Sequence, residues 1–120
     1  MSNNKVNTMK ICITARGPAT GDLFEERFGR APWFILYDTD TGTTDAIQNG
    51  LIVESGGVGP KAVQVLEMHG VAALITGMVG THARDALDAS GMTVFRGEPG
   101  KSVTETIKAF SEKKLPRLGA

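Results

Sequence analysis

The sequence predicts an α/β domain: three layers, α/β/α, around a five-stranded mixed sheet with one antiparallel strand. Three observations carry this. The first half of the chain has two short apolar runs rich in β-branched and aromatic residues, the second followed by a turn and a hairpin partner. From Gly56 onward, apolar residues at helical spacing alternate with short apolar runs, which implies parallel strands and right-handed crossovers. And 120 residues with 41% apolar side chains suffice for one domain with one core.

Taken in order, residues 1–8 read as a disordered lead-in, residues 9–115 as the domain and residues 116–120 as a flexible tail. Lys10 to Ala15 is the first strand. Arg16 to Gly29 reads as a loop, with Gly17-Pro18 and Gly21-Asp22 as turn signals. Trp33 to Asp38 is apolar nearly throughout, so both its faces are expected to be covered. Asp40-Thr41-Gly42 turns the chain into a hairpin partner, Thr43 to Asn49. Pro60 suits the first turn of a helix. Ala62, Val63, Leu66 and His69 follow at helical spacing, and Gly70 stops the helix. Val71 to Thr76 is a strand. Thr81 is placed to cap a second helix with Ala83, Ala86 and Leu87 inward, ending at Gly91. Met92 to Phe95 is the last strand. Ser102-Val103-Thr104-Glu105 is a capping box for a third helix, with Val103, Ile107 and Phe110 on one face.

Composition narrows the function. With 13 basic and 13 acidic side chains the formal net charge is zero, which disfavours nucleic acid as a partner. The single cysteine, Cys12, excludes an internal disulfide framework and a cysteine-ligated iron–sulfur cluster within one chain. It falls inside a strand covered on both faces, where buried packing is its natural role. The polar start is neither a secretory signal nor an anchor, and no apolar run is long enough to span a bilayer. A cytoplasmic protein without a membrane partner is the expectation.

In open α/β sheets, ligands bind beyond the carboxyl ends of the parallel strands. Three loops should gather there: Arg16-Gly17, the stretch SGGVGPKA (Ser55 to Ala62), and Gly77-Met78-Val79-Gly80-Thr81-His82. Two of them enter helices, whose first N–H groups and positive dipole ends favour anions. Arg16, Arg30, Lys61, His82 and Arg84 can add cations. The same glycines also suit ordinary short turns. Gly57-Val58-Gly59-Pro60-Lys61-Ala62 satisfies G-x-G-x-x-A, yet the next strand ends in Ile75-Thr76-Gly77, without the acid that a dinucleotide ribose needs. A P-loop would need G-K-[ST], and Pro60 follows Gly59 instead. No G-x-S-x-G or H-E-x-x-H occurs, and Glu25-Glu26 reads as a solvated loop rather than a catalytic pair. Catalysis is therefore not expected. His82, in the first turn of a helix, suits a neutral ligand or donor. Met78 offers a soft thioether that can meet sulfide or simply pack.

Several ordered motifs resemble the dinitrogenase iron–molybdenum cofactor biosynthesis family. Phe28-Gly29-Arg30-Ala31-Pro32-Trp33-Phe34 resembles its F-G-R-A-P-x-F element. Gly56-Gly57-Val58-Gly59 resembles its G-G-x-G loop, and VAALITGMVG (Val71 to Gly80) its V-x-x-x-I-x-G-x-x-G strand and loop. Gly91 to Phe95 and SVTETIKAF fall in register, so the likeness spans residues 9–115. It implies a ribonuclease-H-like fold without nuclease activity. It also implies binding, storage or carriage of a molybdenum–copper–sulfide or iron–molybdenum–sulfide cluster, or a thiomolybdate precursor. Donor and recipient proteins for the cluster are then expected partners. The chain looks most like the family's stand-alone members, one type of which carries a molybdenum–copper–sulfide cluster without covalent protein ligands. Many members have His directly before F-G-R; here that place is Arg27, which trades a ligand for a positive charge. On this reading Arg16, Arg27, Arg30 and Lys61 supply charge, Gly57, Gly59, Gly77 and Gly80 backbone access, His82 and Met78 soft contacts, and Trp33 a wall. No direct metal ligand is assigned, His82 being the one candidate.

The alternative is an enzyme or sensor that binds a phosphorylated metabolite at the same loops.

Overall fold

The computed structural model describes residues 9–50 and 58–118. The order is β1 (Lys10–Ala15), β2 (Trp33–Asp38), β3 (Thr44–Gln48), α1 (Val58–Met68), β4 (Ala73–Thr76), α2 (Thr81–Ser90), β5 (Thr93–Arg96) and α3 (Val103–Ser111). The sheet order is β3-β2-β1-β4-β5. Only β2 is reversed: it pairs antiparallel with β1 and β3, while β1, β4 and β5 run parallel. This is the mixed five-stranded sheet that the sequence predicts, in the ribonuclease-H-like fold that the resemblance implies.

Alternation along the strands builds two cores. Cys12, Phe34, Leu36, Leu74 and Val94 face α1 and α2, meeting Ala62, Val63, Leu66, Ala83 and Leu87. Ile11, Ile13, Ala15, Ile35, Ala73 and Ile75 face α3 through Val103, with Ile107 and Phe110 beside them. Both faces of β1 and the middle of β2 are thus buried, which accounts for their near-continuous apolar runs. β3 is the edge and shows Thr44, Asp45 and Gln48 to solvent.

The caps agree with the sequence at two ends and differ at one. Ser102 accepts from the Glu105 N–H at 3.1 Å while Glu105 accepts from the Ser102 N–H at 2.8 Å, closing the capping box of α3. Gly91 ends α2 in the left-handed conformation at φ 77°. At the start of α2, however, the N-cap is Gly80 rather than Thr81. Gly80 is extended, its carbonyl accepts the Arg84 N–H at 2.9 Å, and no side chain caps the helix. Thr81 is already helical, so its hydroxyl is not placed to cap.

Two further stretches depart from the sequence reading. Residues 116–118, assigned to a flexible tail, run beside β5: the Arg96 N–H donates to the Pro116 carbonyl and the Leu118 N–H to the Val94 carbonyl. The bonds are backbone to backbone and leave no side-chain signal. The loop between β1 and β2 also pairs. Residues 23–28 lie across the carboxyl ends of β1 and β4, with bridges Ala15–Phe24 and Arg27–Met78. Glu25 N–H donates to Thr14 O, and Gly77 and Met78 N–H both donate to Glu26 O. The buried Thr14 hydroxyl sits 2.5 Å from the Glu25 carbonyl and 3.0 Å from the Thr76 hydroxyl. The crevice where an open α/β sheet holds its ligand is therefore sealed at β1 and β4.

Candidate functional site

With that crevice sealed, the open site shifts to one side, between the starts of α1 and α2. A concavity of about 240 Å³ is lined there by Phe28, Gly29, Gly59, Pro60, Gly80, Thr81, His82 and Ala83. The two helices approach closely because Gly59 has no side chain: a Cβ at that position would fall 2.5 Å from the Ala83 Cβ. Neither helix carries an acid in its first turn, and α2 has no side-chain cap. Two positive dipole ends thus face one hollow, and at α2 no side chain caps the first N–H groups. At Gly80 a Cβ would meet open space, so nothing crowds the backbone there.

The predicted residues divide into three groups. Gly59, Gly80 and His82 line the concavity. Arg27 and Met78 flank it: they bridge each other, Arg27 precedes the wall residue Phe28, and Met78 is 56% exposed. Arg30 and Lys61 are exposed on the neighbouring loop and on α1. Gly57 lies outside the described residues, as does the rest of the SGGVG stretch before Val58.

The other residues have roles different from those expected. Gly77 does not offer its backbone to a ligand. Its N–H is taken by Glu26 O at 2.8 Å, and a Cβ there would fall 2.7 Å from the Glu26 Cβ. Its smallness lets residues 23–28 close over β4. Trp33 pairs with Ala15 and packs in the α3-side core, on the opposite face of the sheet from the two helix starts. It does not wall this hollow. Arg84 is engaged by Asp88 at 3.5 Å on α2.

Glu25 is the largest correction. It is no solvated acid but 2% exposed, and it accepts from Arg16 Nε at 3.2 Å and from Arg27 Nε at 3.0 Å. The Arg27 backbone N–H adds a third bond, at 2.9 Å. Burial alone would raise the carboxyl's pKa. The bonds from Arg27, and then the charges of Arg27 and Arg16, outweigh burial and hold it below the usual carboxylate range. Arg16 and Arg27 are therefore a paired, net-positive unit and not two free charges. No local pattern could have revealed this, since Arg16 and Glu25 meet only through the fold.

Cys12 is fully buried, and burial pushes its thiol pKa up, so it is no ready thiolate ligand. Among the described residues no three His, Cys, Asp or Glu side chains gather as a metal-holding group. The donor set fits an anion held by charge and N–H groups. A larger groove, about 660 Å³, lies on the other side of the sheet against Phe95, Phe110 and Leu115. Its one charged lining residue among the described residues is Lys113, and Met9, Phe95, Phe110 and Leu115 make it mainly apolar. No helix among the described residues is long and apolar enough to cross a membrane.

Comparison with known proteins shows the family and the fold. The family model for the dinitrogenase iron–molybdenum cofactor matches residues 9–113. The apo form of the orange protein from Desulfovibrio gigas is 34% identical, with TM-score 0.88 over 93% of this chain and 94% of that one. A NifB-like protein of the DUF35 family from Thermotoga is 38% identical, with TM-score 0.83 over 93% and 95%. A dinitrogenase-like protein from Methanocaldococcus jannaschii shares the fold at 17% identity and TM-score 0.69, over 93% and 96%. No curated protein matches the chain by sequence. The matched family and the likeness to the orange protein point to binding related to a metal cluster or cofactor. The model spans nearly the whole domain and two relatives exceed 30% identity over it, so this chain belongs to the dinitrogenase iron–molybdenum cofactor family.

Proposed function

We propose that this protein binds, stores or carries an anionic metal–sulfur cluster without covalent attachment and without catalytic turnover. The cargo class is a molybdenum–copper–sulfide or iron–molybdenum–sulfide cluster, or a thiomolybdate on the way to one. One observation carries the reading: two acid-free helix starts, that of α2 without a side-chain cap, meet at one hollow beside Arg27, in a chain of this family. Sulfide is a large, diffuse acceptor. It suits many modest N–H donors and outer-face arginine contacts better than one tight ligand. His82 and Met78 are the soft side chains nearest to it. Arg30 and Lys61 add long-range charge that draws a polyanion in and weakens with salt. Held this way, a cluster can be handed between donor and recipient proteins in the cytoplasm with no bond to break.

The same helix starts would also suit a phosphorylated metabolite, which keeps an enzyme or sensor as the second reading. Reconstitution separates the two. Apoprotein is mixed anaerobically with tetrathiomolybdate and copper, then passed over a sizing column. We expect new visible absorption bands that elute with the protein. Colourless protein, together with a thermal shift from a nucleotide or phosphate, would favour the second reading.

A further inference from the structure

Buried carboxylates are uncommon, and on average a buried ion pair stabilises a fold no better than well-packed apolar groups. Glu25 therefore invites a role beyond stability. It holds two guanidinium groups that come from different segments, Arg16 directly after β1 and Arg27 directly before Phe28. Arg27 gives it Nε at 3.0 Å and Nη2 at 3.4 Å; Arg16 gives it Nε at 3.2 Å. Each guanidinium has five N–H donors in one plane, so most remain unused. The two arginine side chains are 56% and 58% exposed, so those remaining donors can face outward.

Neither arginine lines the concavity. A compact anion seated on the helix starts does not meet them. Arg27 directly precedes the lining residue Phe28, and Glu25 ties Arg16 to it, so the pair flanks the hollow on the side where a larger anion would extend. Resting on the cluster-binding reading above, we infer that Glu25 is a positioning residue. It fixes the two guanidinium groups as one rigid clamp, which favours a polynuclear sulfide over a compact oxyanion. The clamp surrenders charge for geometry: two positive groups and one negative group leave a net charge of one.

That trade gives the test a sign. Glu25→Gln raises the local net charge by one, so attraction alone would tighten anion binding. Positioning predicts the opposite. Glu25→Gln should bind the product of tetrathiomolybdate and copper about tenfold more weakly, while its affinity for inorganic phosphate does not fall. An Arg16→Lys, Arg27→Lys double variant keeps every charge and loses the forks. It should weaken the cluster similarly, and it serves if Glu25→Gln folds poorly. In the apoprotein, the 15Nε–H signals of Arg16 and Arg27 should exchange slowly with water beside that of exposed Arg30, and Glu25→Gln should abolish the protection.

Equal or tighter cluster binding by Glu25→Gln overturns the inference. So does wild-type affinity in the double lysine variant, or unprotected Nε–H signals in the wild type. If wild-type protein binds no cluster, the functional reading fails. Protected Nε–H signals would then make Glu25 an anchor of the fold alone, which also overturns its positioning role.

Discussion

Gly59→Ala is expected to destabilise the protein by about 1–3 kcal/mol, against the usual gain of about 1 kcal/mol when alanine replaces glycine in a helix. The new methyl would stand 2.5 Å from the Ala83 Cβ and 3.3 Å from its Cα. Neither atom is the end of a flexible side chain, so the helices themselves must separate. Separation would widen the hollow between their starts, and cluster retention should fall with stability. Urea unfolding of Gly59→Ala, Ala83→Gly and the double variant measures the coupling. The account expects Ala83→Gly to recover part of the loss by removing the nearest atom. A Gly59→Ala variant more stable than wild type would show that the close approach is not real.

Acid should loosen the rim through Glu25. Its folded pKa lies below its unfolded value, which is about 4.3 for glutamate. A depressed carboxyl contributes stability fully above the unfolded value and loses it as pH falls through the folded one. At pH 7, Glu25→Gln should be less stable by about 1–3 kcal/mol, below the cost of stranding a fully buried partner, because both arginines remain hydrated. The gap should close as pH falls below about 4. Thermal unfolding of both proteins from pH 7 to pH 3 checks this. A gap that stays constant with pH would mean that the charge of Glu25 contributes nothing.

Local chemistry made much of the fold readable. Lys10–Ala15 and Trp33–Asp38 have the ends that their apolar runs predict, and the box at Ser102 starts α3 as its spacing says. These features depend on neighbours in sequence. The misread features depend on contacts across it. The near-continuous apolar run of β2 shows that it has two covered faces, but not which face receives α1 and α2, so the pattern does not place Trp33 on either side. Residues 23–28 seal the sheet by backbone bonds to Thr14, Gly77, Met78 and Lys101, which any residue can make. Glu25 looks like its neighbour Glu26 until the fold brings Arg16 beside it. The site was legible as a set of helix starts and glycines. The lining of the hollow, without Gly77 and Trp33 and with Phe28, Gly29, Pro60, Thr81 and Ala83, is set by packing.

The central claim is that an anionic metal sulfide sits on the paired starts of α1 and α2. Amide chemical-shift mapping of 15N-labelled protein, before and after loading with tetrathiomolybdate and copper, tests it most directly. The account predicts the largest changes at Gly59, Gly80, Thr81, His82 and Ala83, with smaller ones at Phe28 and Gly29. Changes concentrated instead around Phe95, Phe110 and Leu115, or no changes at all, would contradict it.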